Sequence, residues 1–437
     1  MISGDPRRWA LVGIVLITCL VAMEGTVVST AMPRTVAELG EAEHIAWVFS
    51  AFLSALAITG PIWGNLADRW GARPVYILCV AIFLGGSCWA AAAHSMRELV
   101  AARFVQGLGG GGLTPLGQMV LSLLYEKRER ANAQAWLVGA WGVASVVGPP
   151  LGGWLTQQAS WRWVFLIAIP FGLLGSCLLA VFLRPPPIVP KHNPFDWWGV
   201  LMFVSWMVLT LRATEAPQVS TVFASLGLAT VLLLYSRRRA HPFLPLPLMR
   251  YRVFRGTLAL APLIGAAVFG AVNFFPLFLQ RQFGLDDIGA GRAMLPLSLS
   301  WVLCSGISAR LALRFGSARV VGLSSLGLAL GYLALASSPG AAAVAVGQLG
   351  LAMAGGLSFT PLTLSVQDEV PREELGQATS AIVFLRTLGS SLGTAALGSV
   401  LYRFGFIWMF RFGWLLACLA LLAYLPYRRA LRSSRSG

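Results

Sequence analysis

Charge is scarce in this chain. Asp, Glu, Lys and Arg make up 11% of its 437 residues, where a soluble domain carries about 25%. That scarcity excludes an ordinary water-soluble globule. Acid is scarcer than base, 17 residues against 33, which leaves a net charge of +16. The excess does not make a nucleic-acid binder, because it is spread over short loops and not gathered on a hydrophilic domain. Lysine is nearly missing, with two among the 33 basic residues; such arginine bias fits a GC-rich bacterial genome. The six cysteines are scattered through apolar stretches, and the four histidines stand in loops or at helix ends near no second ligand. No metal spacing or catalytic His/Glu/Cys cluster results. No cofactor is expected, and an enzyme or receptor has no support.

What the chain has in abundance is apolar length. Hydrophobic residues reach 57% and the mean hydropathy is +0.73. A membrane helix needs about 20 apolar residues. Twelve such runs are clear: 9–32, 45–66, 75–93, 99–122, 133–155 and 162–183, then 255–280, 293–314, 318–337, 341–366, 377–400 and 406–426. Two weaker ones, 197–212 and 219–236, lie between and are expected to span, giving fourteen. With both termini inside, cytoplasmic segments hold 23 of the 33 basic residues and outer segments 8; Arg103 and Arg386 fall inside spans. This obeys the positive-inside rule. The outer segments carry Glu38, Glu41, Glu43, Asp286 and Asp287. The first run is too long for a signal peptide and has no small-x-small site before Pro33.

Glu24 stands out against this background as the only one of the 17 acids well inside a predicted span. A carboxylate at the bilayer centre costs roughly 2.5–3.5 kcal/mol on insertion scales, so it is expected to face a cavity or a partner. A group costly when charged and tolerable when neutral can carry a proton. Arg103 and Arg386 are the candidate cationic neighbours, and the three together form the candidate proton-coupling set.

The halves repeat at an offset of about 245. The stretch Gly64 to Arg73 aligns with Ala309 to Ala318, and Thr114-Pro115-Leu116 with Thr360-Pro361-Leu362. Both pairs fall on the same side of the membrane, so the repeat is parallel, as in transporters with a substrate site between two six-helix halves.

Several motifs carry a resemblance. Gly64-Asn65-Leu66-Ala67-Asp68-Arg69-Trp70-Gly71-Ala72-Arg73 is similar to the signature loop G-x-L-A/S-D-R-x-G-R-R/K of the major facilitator superfamily. Ala72 departs from the usual Arg, and Leu313 replaces the acid in the second copy. Gly148-Pro149-Pro150-Leu151-Gly152-Gly153 resembles the G-P-x-x-G-G core of that superfamily's antiporter motif. Arg103-Phe104-Val105-Gln106-Gly107 resembles its R-x-x-Q-G proton-coupling motif. The first-span segment around Glu24, Trp161 to Leu166, Phe274 to Gln280, and Phe384 to Thr394 resemble segments of the fourteen-span drug:H+ antiporter subgroup, with Glu24 where Asp is usual.

The resemblance implies an all-α integral membrane fold: a six-helix bundle over 1–185, a linker with two extra central helices over 186–250, and a second six-helix bundle over 251–437. It implies a bacterial inner-membrane monomer with both termini cytoplasmic, and proton-coupled export of lipophilic or amphiphilic compounds by alternating access. Asp68, Arg69 and Arg73, with Gly64 and Gly71, would form a cytoplasmic latch; Gly148, Pro149, Gly152 and Gly153 would set a kinked, tightly packed helix. Candidate cavity residues are Thr26, Gln106, Trp136, Asn273, Phe274 and Phe275. The expected partners are a small lipophilic substrate, protons and lipid. A lipid or metabolite exporter or flippase, or a proton-coupled importer of the same fold, is the alternative.

Overall fold

The computed structural model describes residues 5–183, 195–215, 218–239, 242–337, 340–371 and 374–433. Every regular element among them is helical. In lipid the backbone must satisfy its own hydrogen bonds, and long apolar runs do so as helices. The first part of the chain forms α1 (Pro6–Leu39), α2 (Ile45–Trp70), α3 (Ala72–Ala91), α4 (Met96–Leu124), α5 (Lys127–Gln158), α6 (Trp163–Leu166) and α7 (Ala168–Phe182). The two weak runs are full helices, α8 (Trp197–Glu215) and α9 (Val219–Arg237). Then follow α10 (Arg252–Val272), α11 (Phe275–Phe283), α12 (Asp287–Ala293), α13 (Leu295–Phe315), α14 (Ser317–Ser337), α15 (Ala341–Gln367), α16 (Leu375–Phe404) and α17 (Phe406–Ser433).

Among the described residues, 12 helical stretches are long and apolar enough to cross a membrane, α8 and α9 included. The 29-residue α4 and the 32-residue α5 are outside that set. Two runs that read as single spans, 162–183 and 255–280, are broken at prolines, and a third break falls at the start of 293–314. Pro170, Pro276 and Pro296 lack the N–H that would bond the carbonyl four residues back. Those carbonyls belong to Leu166, Val272 and Arg292, and α6, α10 and α12 end at or next to them.

The chain divides into two compact units: residues 1–193 with 279–295, and residues 194–278 with 296–437. Where the sequence sets 186–250 apart as an insertion, packing places α8 and α9 in the second unit; residues 186–194 lie outside the described ones. In the first unit α1 packs on α5 and α7, and α3 on α4. In the second α10 packs on α16 and α17, and α14 on α15. One neighbour scheme thus recurs. The repeat shows in the backbone as well: Gly71 between α2 and α3 has φ +94°, and Gly316 between α13 and α14 has φ +87°, a conformation that glycine adopts without the Cβ penalty.

The extra pair is held at one end by Asp196. Its carboxylate accepts from the Gly199 N–H (3.0 Å), capping α8, and from the Tyr235 hydroxyl (2.8 Å) and the Phe243 N–H (3.0 Å). Phe203 of α8 and Phe243 pack tilted and edge to face on Phe384 of α16, with ring centroids 5.3 to 5.9 Å apart.

Candidate functional site

Glu24 and Arg103 meet inside the first unit. The side chains are 3% and 1% exposed, and Arg103 Nη1 donates to the Glu24 carboxylate. The same nitrogen donates to Gln106 Oε1 (2.5 Å), one turn further along α4. Gln106 Nε2 donates to Ser87 Oγ (2.8 Å), and Ser87 donates to the Phe83 carbonyl (3.0 Å), both on α3. Arg103 Nε donates to the Val48 carbonyl of α2 (3.3 Å). Its Cζ lies 4.3 Å over the Phe52 ring and 5.8 Å over Phe165. Residues of α1, α2, α4 and α6 therefore converge on one guanidinium, and α3 joins through Gln106. A buried ion pair survives only when geometry and further hydrogen bonds offset desolvation, and this network supplies both.

The glycines of the antiporter-like segment place α1. A Cβ on Gly148 would lie 2.1 Å from Thr26 Oγ1, and one on Gly152 would lie 2.2 Å from Thr30 Oγ1. Only glycine admits these threonines, so α5 grips α1 half a turn from Glu24. A Cβ on Gly153 would meet the Asp287 carbonyl at 2.3 Å, which seats α12 on α5. Pro149 lies within α5 without ending it.

The remaining candidates are distributed as follows. Gly64 and Arg69 lie near or at the end of α2, and Arg73 donates to the Ala180 carbonyl in the last turn of α7. That is a favourable place for a cation. The backbone of Asp68 is in α2; its side chain lies outside the described residues. Of the expected cavity residues, Gln106 is taken up in the Arg103 network, and Thr26 donates to the Met23 carbonyl (3.1 Å). Trp136 is 67% exposed and borders a cavity with Leu11, Val15 and Tyr125. Asn273 is buried and donates to Thr394 Oγ1 (3.1 Å). Phe274 and Phe275 are fully buried, and Phe275 packs edge to face on Phe278. Arg386 lies in the second unit with its Cζ 4.6 Å over Phe359. No group of three or more His, Cys, Asp or Glu able to hold a metal occurs among the described residues.

Sequence reasoning missed two linkages in the first unit. Arg34 Nε pairs with Asp287 Oδ2 at 2.9 Å, and Asp287 Oδ1 accepts from Gln280 (3.0 Å). Glu38 accepts from Trp161 Nε1 (2.7 Å) and from Arg162, which also reaches the Ala93 carbonyl. The Trp161-Arg162 segment thus ties the end of α1 to the α3–α4 turn.

A multi-pass chain whose described elements are all helical, with a buried ion pair and a parallel repeat, has the anatomy of a secondary transporter. The chain belongs to the major facilitator superfamily, whose family profile matches residues 14–394. It is a membrane transporter and not an enzyme. It is 31% identical over 411 residues to the multidrug transporter protein MdtP of Bacillus subtilis, covering 90% of this chain and 75% of that one. It is 26% identical over 406 residues to multidrug resistance protein 3 of the same organism, covering 90% and 79%. Its fold matches that of an auto-inhibited POT family peptide transporter with a TM-score of 0.73, at 15% identity and over 98% and 97% of the two chains.

Proposed function

We propose that this chain exports lipophilic or amphiphilic compounds by alternating access, driven by protons entering through Glu24. The carrying observation is the Glu24–Arg103 pair inside the first unit. A proton on Glu24 removes the charge that Arg103 faces. Arg103 then keeps Gln106 and the Val48 carbonyl, and the link from α1 to α4 is weakened. Loss of the proton restores it. A single carboxylate that alternately pairs with Arg103 and takes a proton is a switch of the kind that couples a gradient to helix movement. The glycine seam of α5 against Thr26 and Thr30 transmits the movement of α1. The Gly64–Arg73 segment, where α2 gives way to α3, acts as the cytoplasmic latch.

The relatives named for multidrug transport and resistance support export of drug-like compounds. We take the crossings as fourteen, adding α4 and α5 to the 12 stretches above, in the fourteen-span drug:H+ antiporter subgroup. The positive-inside count supports cytoplasmic termini in a bacterial plasma membrane. Inverted vesicles containing the chain, with a lipophilic fluorescent dye added outside, test the direction. An acid-inside pH gradient should drive dye uptake, and collapsing the gradient should stop it. Dye movement with the proton, or transport indifferent to the gradient, would refute antiport and favour an importer or a passive flippase.

A further inference from the structure

One cation of the second unit is left over. Arg386 is the twelfth residue of α16, roughly 16 Å along the axis from Leu375 at about 1.5 Å per residue. Among the described residues its guanidinium has no ion pair and no hydrogen-bond acceptor; its partner is the Phe359 ring, 4.6 Å from Cζ. A guanidinium stays charged, and an unpaired charge at membrane depth is costly. The predicted spans of this unit contain no acid. Three acids at its rims are engaged: Glu369 accepts from the Arg252 and Val253 N–H groups (3.0 and 2.8 Å), Glu374 from Arg250 and Tyr251, and Asp196 from the α8–α9 lock; Asp368, at the end of α15, is exposed.

Arg386 is not sealed in. It is half-buried and continues, at three-residue steps, the exposed stripe Gln377, Ser380 and Val383 of α16. Residues at that spacing share a helix face. Exposed Thr360 follows Phe359 on α15. Phe359 lies against the guanidinium on one side, and no described residue takes up its donors.

We propose that Arg386 is the head-group subsite for an amphiphile bearing one oxyanion, a carboxylate or a phosphate. The planar fork suits bidentate binding of either. The apolar remainder of the ligand follows the stripe past Val383. Exposed Arg237, Arg238, Arg239, Arg252 and Arg255 at the end of the same unit concentrate anions there. The inference names a substrate class for the export reading and rests on it for transport, but not for binding.

The test is binding to the full chain in nanodiscs of zwitterionic lipid, with dodecanoate, dodecyl phosphate and dodecanol as probes. The wild type should bind both anions at least about tenfold more tightly than the alcohol, a difference of about 1.4 kcal/mol. Arg386→Gln should remove that preference and leave dodecanol unchanged. Arg386→Lys, which keeps the charge but loses the fork, should fall between and serves if the glutamine variant misfolds. Tighter dodecyl phosphate marks a phospholipid-like ligand, and tighter dodecanoate an acidic amphiphile. Anion affinities unchanged in both variants, or an equal loss for dodecanol, overturn the proposal. Glu24→Gln should keep the preference for the anions over dodecanol while losing gradient-driven transport, so failure of the coupling reading appears in transport and failure of the subsite appears in that preference.

Discussion

At the repeat offset of 245, Glu24 of α1 falls opposite Phe269 of α10. In the first unit the position holds a carboxylate that meets a guanidinium of α4. In the second it holds a ring that packs edge to face on Trp301 of α13, with centroids 5.9 Å apart. The seams differ in the same sense. Gly107 and Gly111 bring α4 against α2, where added Cβ atoms would lie 2.4 Å from the Phe52 carbonyl and 2.2 Å from Thr59 Oγ1. At Gly355 of α15 the close neighbour is instead the Trp301 indole, 2.3 Å from an added Cβ. A proton can change the first contact and cannot change the second. One helix scheme therefore carries a titratable joint in one unit and an aromatic joint in the other, which is why coupling is assigned to the first.

The contrast breaks most severely at Arg103. Arg103→Leu strands a buried carboxylate, which should cost about 3–5 kcal/mol and abolish driven transport. Thermal unfolding in detergent reads the first effect and vesicle uptake the second. Trp301→Leu removes no charge, so it should leave proton dependence intact even where stability falls. A smaller effect is expected at the glycine seam of the second unit. A Cβ on Gly389 would sit 2.1 Å from the Pro262 carbonyl, so Gly389→Ala should cost about 1–3 kcal/mol through overpacking. Gly306→Ala, with open space around it, is the control and should be neutral or stabilising in the same melts. The smallest effect is at Arg34. Its side chain is 56% exposed, and although Asp287 is 9% exposed that carboxylate keeps its bond from Gln280, so the loss should be about 1 kcal/mol, the upper end for surface pairs. Arg34→Ala should shift the unfolding midpoint little and lose that shift in high salt.

Much of this contrast is legible in the sequence, because charge in an apolar run has few explanations. Glu24 and Arg103 stand out by rarity alone, and the Gly-Asp-Arg-Gly loop by its spacing. The two weak central runs form helices because 19 largely apolar residues in each support them. What stayed hidden involves residues common in such runs. Ser87 is one serine among many, and only the fold sets it against Gln106. The Arg34–Asp287 pair joins positions 253 residues apart, with no local pattern to announce it. Asp196 before a helix reads as an N-cap, but its bonds to Tyr235 and Phe243 depend on how the extra pair folds back. The burial of Phe274 and Phe275 is likewise not legible in the sequence, because a ring suits a helix interface and a lipophilic ligand equally well.

The central claim is that Glu24 is the group whose proton is exchanged for substrate. Adding a lipophilic substrate to the purified chain in unbuffered detergent solution, with a pH indicator present, tests it most directly. If substrate favours the ionised carboxylate, linkage requires proton release on binding. The wild type should release protons in proportion to substrate bound, and Glu24→Gln, still able to accept a hydrogen bond from Arg103, should bind substrate and release none. Equal proton release from the two proteins would contradict the account.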